Sequence, residues 1–172
     1  KRASDAASSG AASGSTSATG LKDTFTYAQG SDPRGLDPAL VDDGESAKVM
    51  CNIYEGLLKY NKNSTEVEPC LATDWNISPD GTKYTFHLRK GVKFQDGTGF
   101  NADAVKKSID RQLEPNVTDN MPYASFVFGS KNKKSGVKEV KVVDDYTVEI
   151  DLFSAETPFL NNLAMIMAAP IV

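Results

Sequence analysis

The chain has 172 residues, with 19 basic and 23 acidic side chains for a formal net charge of −4, and 40% of it is hydrophobic. That balance is ordinary for a globular domain of this length and argues against a nucleic-acid binder, which would carry a clustered basic face. The longest apolar run, Leu163 to Val172, is about ten residues and is broken by Pro170, whereas a bilayer-spanning helix needs about 20.

Residues 1–20 read KRASDAASSGAASGSTSATG, of which seventeen are Ala, Ser, Gly or Thr. Such a segment cannot offset ordering entropy by burial, so 1–23 is expected to be a disordered tether. With no starting methionine and no apolar signal segment, the chain reads as a mature or trimmed product.

Order is expected from residue 24. TFTYAQG (24–30) alternates aromatic and threonine positions, as a strand does. SDPRGLDPAL (31–40), with two prolines and a glycine, is a loop. ESAKVMCNIYEGLL (45–58) places Val49, Ile53 and Leu57 four apart, which predicts an amphipathic helix, and LLKYN starts a short strand. LATDWNISPDGTKYTFHLRKG (71–91) is a hairpin: Trp75 and Ile77 alternate, Ser78-Pro79-Asp80-Gly81 supplies the turn, and Tyr84, Phe86 and Leu88 share one face. Trp75 and Phe86 are expected in its core. Thr85, His87 and Arg89 then point outward.

QDGTG (95–99) is a second turn. Asn101 is the expected N-cap of a helix with Asp103 in its first turn and Val105, Ile109 and Leu113 as its buried stripe. Glu114-Pro115 ends it, and a polar loop is expected to about residue 136. VKEVKVVDDYTVEIDLF (137–153) is a further hairpin turning at Asp144-Asp145. TPFLNNLAMIM (157–167) predicts a short helix with Pro158 in its first turn, and AAPIV a last strand. The expected class is α+β, with mixed and antiparallel hairpins packed on helices.

No catalytic constellation emerges. His87 has no serine or cysteine in motif around it and reads as an exposed strand histidine. Neither the G-x-S-x-G elbow nor the G-x-x-x-x-G-K-[ST] phosphate loop occurs. NKNSTE (61–66) lacks the glycine of a calcium loop, and DWNISPDG (74–81) puts proline there. Tyr54, Tyr60, Trp75, Tyr84, Phe86 and Phe94 could stack on a ligand but fall on the apolar faces of predicted elements. Cys51 and Cys70 could pair outside the cell; two partly buried thiols are the plainer reading. Function is therefore expected in the polar loops.

Four stretches carry a resemblance: GSDPRGLDPAL, NIYEGLLKYN, EPCLATDWNISPDGTKYTFHLRKGVKFQDGTGFNADAVKKSIDRQL and AETPFLNNLAMIMAAPIV. Together, over about 24–172, they resemble the bacterial extracellular solute-binding proteins of family 5, the peptide- and nickel-binding receptors of ABC importers. Ala72 to Phe94 is the most specific run, while Cys70 and Thr98-Gly99 depart from the commoner pattern. The resemblance implies the smaller subdomain of lobe I of a two-lobed periplasmic-binding-protein-like fold (class II, cluster C). It divides the chain into a tether at 1–23, the first strand and loop of lobe I at 24–44, the smaller subdomain at 45–168 and the start of the return to lobe I at 169–172.

Members of that family are several times longer, so the chain reads as the front of lobe I, with the second lobe absent. The implied function is capture of di- and oligopeptides outside the cytoplasm and delivery to the permease subunits of the importer, by a monomer without cofactor, metal, nucleic acid or catalytic residues. The tether suggests a lipid anchor lying ahead of Lys1, on a Gram-positive cell surface or in a periplasm. The implied ligand wall is the loop with Gly30, Ser31 and Asp32 together with the turn Asp43, Gly44, Glu45 and Ser46, although the turn residues would equally serve as a helix cap. Nickel or another solute, or a stand-alone structural or adhesion module, are the competing readings; the lone histidine makes a protein-only nickel site a poor fit.

Overall fold

The backbone N–H and C=O groups of extended segments need neighbouring strands, and the four long strands of this chain pair with one another. The computed structural model describes residues 24–113, 120–130 and 133–172. Its elements in order are α1 (Gly44–Met50), β1 (Leu58–Tyr60), β2 (Val67–Pro69), β3 (Ala72–Ile77), β4 (Lys83–Leu88), α2 (Ala102–Leu113), α3 (Ala124–Phe128), β5 (Gly129–Ser130), β6 (Ser135–Asp144), β7 (Thr147–Leu152) and α4 (Phe159–Asn162). β3-β4-β7-β6-β5 form one antiparallel sheet, and β1-β2 form a separate ribbon. The α+β class expected from the pattern is the one observed.

Both hairpins form as their turn chemistry requires. Trp75 pairs with Phe86 and Ile77 with Tyr84. Between them Asp80 ties the turn, accepting from Ser78 Oγ and from the Thr82 N–H, while Gly81 sits at φ +69°, where a side chain would be strained. In the β6–β7 hairpin Asp144 accepts from the Tyr146 N–H at 2.8 Å. The inner sheet face carries Tyr84, Phe86, Leu88, Val137, Val140, Val148, Ile150 and Leu152, all buried. Against it lie Val105, Ile109 and Leu113 of α2, with Phe128, Phe159 and Leu163 closing the core. Asn101 caps α2 through the Ala104 N–H at 3.1 Å. Phe86 is fully buried; Trp75 is only half-buried and packs against the core's edge.

Several expectations are corrected. Residues 24–30 form no strand: Phe25 is 87% exposed and Tyr27 63%, and no strand among the described residues pairs with them. Their alternation marks a segment able to pair, but none of the described strands takes it as a neighbour. The helix expected over 45–58 stops at Met50, and its inward face is Ser46 and Met50, not Val49. From Cys51 the chain tightens into i→i−3 turns, with Asn52 N bonding Val49 O and Ile53 N bonding Met50 O. Leu57 owes its burial to the extended segment that follows, where Gly56 bridges Pro170. AAPIV forms that bridge and single hydrogen bonds such as Ile171 N–H to Glu55 O at 3.0 Å, in place of a strand.

The region read as a polar loop to 136 contains α3, β5 and the first two residues of β6. The helix expected over 157–167 is only Phe159–Asn162, followed by turns, with Pro158 at its N-cap. Both cysteines are free; Cys51 is exposed rather than partly buried, and Cys70 is half-buried. Burial pushes the Cys70 thiol up, and the Glu55 carboxylate beside it adds to the effect. The tether at 1–23 and the helix end at Glu114-Pro115 lie outside the described residues.

Candidate functional site

The expected ligand wall assembles from a loop and the start of α1. Proline, glycine and aspartate keep 31–40 out of regular structure, and Asp43 then nucleates α1. The Asp43 carboxylate accepts from the Ser46 N–H at 2.8 Å and from Ser46 Oγ at 2.7 Å. Ser46 Oγ in turn accepts from the Arg34 N–H at 2.9 Å and the Gly35 N–H at 3.4 Å. Ser46 is completely buried, so this hydroxyl is the rivet between helix and loop. Asp43 thus caps α1, and Ser46 ties that cap to the loop.

Of the remaining expected residues, Gly30, Ser31, Asp32 and Gly44 are exposed and Glu45 is half-buried. Gly44 is exposed, and a Cβ built on it meets nothing within 4 Å. Glu45 accepts from Lys48 Nζ at 2.7 Å through Oε1, while its Oε2 is buried without a hydrogen-bond partner. Gly30 faces the same carboxylate: a Cβ there would lie 3.8 Å from Glu45 Oε1. Ser31 and Asp32 stand exposed beside it, with Gln29 Nε2 donating to Ser31 O at 2.9 Å. The structure thus brings Gly30 to Glu45 and the 34–35 backbone to Ser46, and places Ser31 and Asp32 at the open rim. What these groups leave open is exposed backbone at Gly30, Ser31 and Gly44, flanked by carboxylates.

The Ser46 backbone N–H, and then its hydroxyl, hold the Asp43 carboxyl below the usual carboxylate range. A carboxyl lowered in the folded state adds stability above its unfolded value and loses that contribution as pH falls through the folded one. Asp43→Asn keeps a capping oxygen but cannot titrate. Its urea midpoint is therefore expected to fall less than that of the wild type between pH 5 and pH 2, in a titration series followed by circular dichroism. Identical pH slopes for the two proteins would contradict this role.

His87 lies on the outward sheet face with its Nδ1 against Asp74, whose carboxyl is lowered chiefly by that hydrogen bond. The other partners around it are Thr73 and Thr147, with neither serine nor cysteine, so nothing there resembles a nucleophile–base pair. Among the described residues no group of three or more His, Cys, Asp or Glu is placed to hold a metal. None of the helices described is long and apolar enough to cross a membrane.

One feature escaped the sequence reading. A cavity of about 600 Å³ is lined by Tyr54, Phe94, Gln95, Asn101, Lys107 and Ile171, among others. Two of the candidate stacking aromatics, Tyr54 and Phe94, meet there from segments about forty residues apart; Tyr84 and Phe86 are core, and Tyr60 is 40% exposed. Tyr54 and Phe94 were both visible as aromatics that could stack, but their approach to each other and to residue 171 was not.

Residues 66–172 match the family described as bacterial extracellular solute-binding proteins, family 5 (middle). The chain is 40% identical over 151 residues to heme-binding protein A of Haemophilus influenzae, covering 83% of this chain and 28% of that one. It is 38% identical over 159 residues to the dipeptide-binding protein of Escherichia coli, covering 85% and 29%. The periplasmic binding protein DppA of Helicobacter pylori, solved with the peptide STSA, superposes with a TM-score of 0.70 at 39% identity, over 82% of this chain and 29% of that one.

The chain belongs to the bacterial extracellular solute-binding proteins of family 5, a family of extracytoplasmic binding proteins. It spans under a third of the length of these relatives, and its fold is a subdomain of their two-lobed architecture. The relatives are Gram-negative, so the expectation of a Gram-positive cell-surface form has no support from them.

Proposed function

We propose that this chain is the front part of the substrate-binding protein of an ABC importer, which captures di- or oligopeptides outside the cytoplasm and hands them to the permease. The ligand-facing residues of this part are Gly30, Ser31, Asp32, Gly44 and Glu45, with Asp43 and Ser46 holding them in place. The reading further includes a periplasmic location, a monomer, a lipid anchor ahead of Lys1, and binding without catalysis. A peptide is favoured over other solutes because a related structure at 39% identity holds one, and because the wall offers backbone and carboxylates, the partners of a peptide's own N–H groups and ammonium. The domain division at 24–44, 45–168 and 169–172 belongs to the same proposal.

The observation that carries the site is Gly44: it is exposed at the wall, and open space surrounds the position of its missing Cβ. A Cβ there meets no described atom within 4 Å, and valine has no worse helix propensity than glycine. Gly44→Val in the complete gene product is therefore expected to leave the melting temperature within a degree or two and to raise peptide Kd at least about tenfold, or about 1.4 kcal/mol, by calorimetric titration. Unchanged affinity would remove Gly44 from the ligand wall.

A further inference from the structure

The candidate wall is held at two places, and only one of them is α1. Ser46 fixes residues 34–35, as described. The other end of the loop turns a corner at Asp37-Pro38-Ala39. Inside the corner, Asp37 accepts from the Ala39 N–H at 3.0 Å, and the Leu40 N–H bonds Asp37 O at 3.0 Å. Outside it, Arg111 in the last turn of α2 grips the same carboxylate with both guanidinium arms, Nη1 to Oδ1 at 3.3 Å and Nη2 to Oδ2 at 2.5 Å. A planar fork on a carboxylate fixes direction as well as distance.

The residue next to Arg111 continues the hold. Gln112, 3% exposed, donates through Nε2 to Ala168 O at 2.8 Å and to Ser108 O at 3.2 Å. The Ala168 N–H then bonds Pro38 O at 2.8 Å, with Ala168 itself at φ +66°. Ala39 completes the corner by packing with Met121 and Ala124. The corner is thus fixed by a helix that belongs to the sheet core, some seventy residues away in sequence.

We infer that Arg111 is a positioning residue for ligand binding: its forked bond to Asp37 sets the orientation of the 30–38 loop, and with it the ligand-facing backbone at Gly30 and Ser31. This rests on the proposed peptide-binding reading. An ion pair whose side chains are 37% and 33% exposed contributes little to overall stability, so its consequence is for loop geometry. Misplacement of a binding wall by an ångström weakens every contact that the wall makes.

The test uses the complete gene product, a mixed di- to pentapeptide library to find one ligand, and that ligand's Kd with the melting temperature for wild type, Arg111→Met, Arg111→Lys, Asp37→Asn and the Arg111→Met/Asp37→Asn double variant. Arg111→Met and Asp37→Asn are each expected to raise Kd at least fivefold with the melting temperature nearly unchanged. The double variant should be no worse than Arg111→Met alone, since each single change breaks the same two-armed fork. Arg111→Lys, which keeps charge without the fork, should fall between. Unchanged Kd in the single variants, or additive losses that track melting temperature, would overturn the inference while leaving the peptide reading intact. Failure of the wild type to bind any peptide in the library would overturn the peptide reading, and this inference with it.

Discussion

Phe86→Ala is expected to cost about 3–5 kcal/mol of folding stability, the range for deleting a large aromatic from a site that cannot collapse. Phe86 is fully buried in the middle of β4, with Trp75 opposite it on one flanking strand and Val148 on the other. Its ring lies 6.4 Å from those of both Trp75 and Tyr84, and the strands on both sides are hydrogen-bonded in register, so neither can move inward to fill the space. A domain's total stability is about 5–15 kcal/mol, so this single change removes a large share of it. At about 2–4 °C per kcal/mol, the melting temperature should drop by roughly 6–20 °C. Trp75→Ala should cost clearly less, because Trp75 is half-buried at the sheet edge and part of its ring already faces water. Urea denaturation of the two variants in parallel checks the ranking; a larger loss at Trp75 than at Phe86 would mean that the core is centred elsewhere.

What could be read from the sequence follows the range of the interactions involved. The two hairpins were legible because period-two alternation and turn chemistry at Ser78 to Gly81 and at Asp144-Asp145 are local signals. Helix α2 was legible for the same reason, with Asn101 as its cap and Val105, Ile109 and Leu113 one turn apart. Spacing of four misled at Val49, Ile53 and Leu57, where a short helix runs into an extended segment and Leu57 joins the main core from that segment rather than through helical periodicity. Helix α3 was missed because five residues, ASFVF, are too few to show a period within a polar stretch.

At the candidate site the residue set was legible only through resemblance, and the division of labour within it was not. Ser46 looks like any helix-start serine; that it is buried and accepts two backbone N–H groups from 34 and 35 depends on a loop folding back across a gap of twelve residues. The Asp37–Arg111 pair, 74 residues apart, has no sequence signature at all.

The isolated 172-residue chain is expected to bind peptide at millimolar strength or weaker. A solute enclosed between two lobes buries most of its surface, and each wall supplies part of the contact. The described wall is a single open edge: Gly30, Ser31, Asp32 and Gly44 are all exposed, with nothing facing them across a cleft among the described residues. A micromolar complex corresponds to about −8 kcal/mol, and half of that is about −4, or a millimolar Kd. Closure, which excludes water and strengthens each polar contact, is not open to one wall alone. The core of β3, β4, β6, β7 and α2 is closed within the chain, so the experiment can be run on a folded fragment. At 1 mM peptide a micromolar site would stabilise its protein by about 4 kcal/mol, whereas a millimolar one gives about 0.4 kcal/mol, near the limit of a thermal-shift measurement. The fragment should therefore show almost no shift with the peptide library, and the complete gene product a clear one. A shift of several degrees in the fragment would sink the two-walled reading and point to a self-contained peptide-binding module.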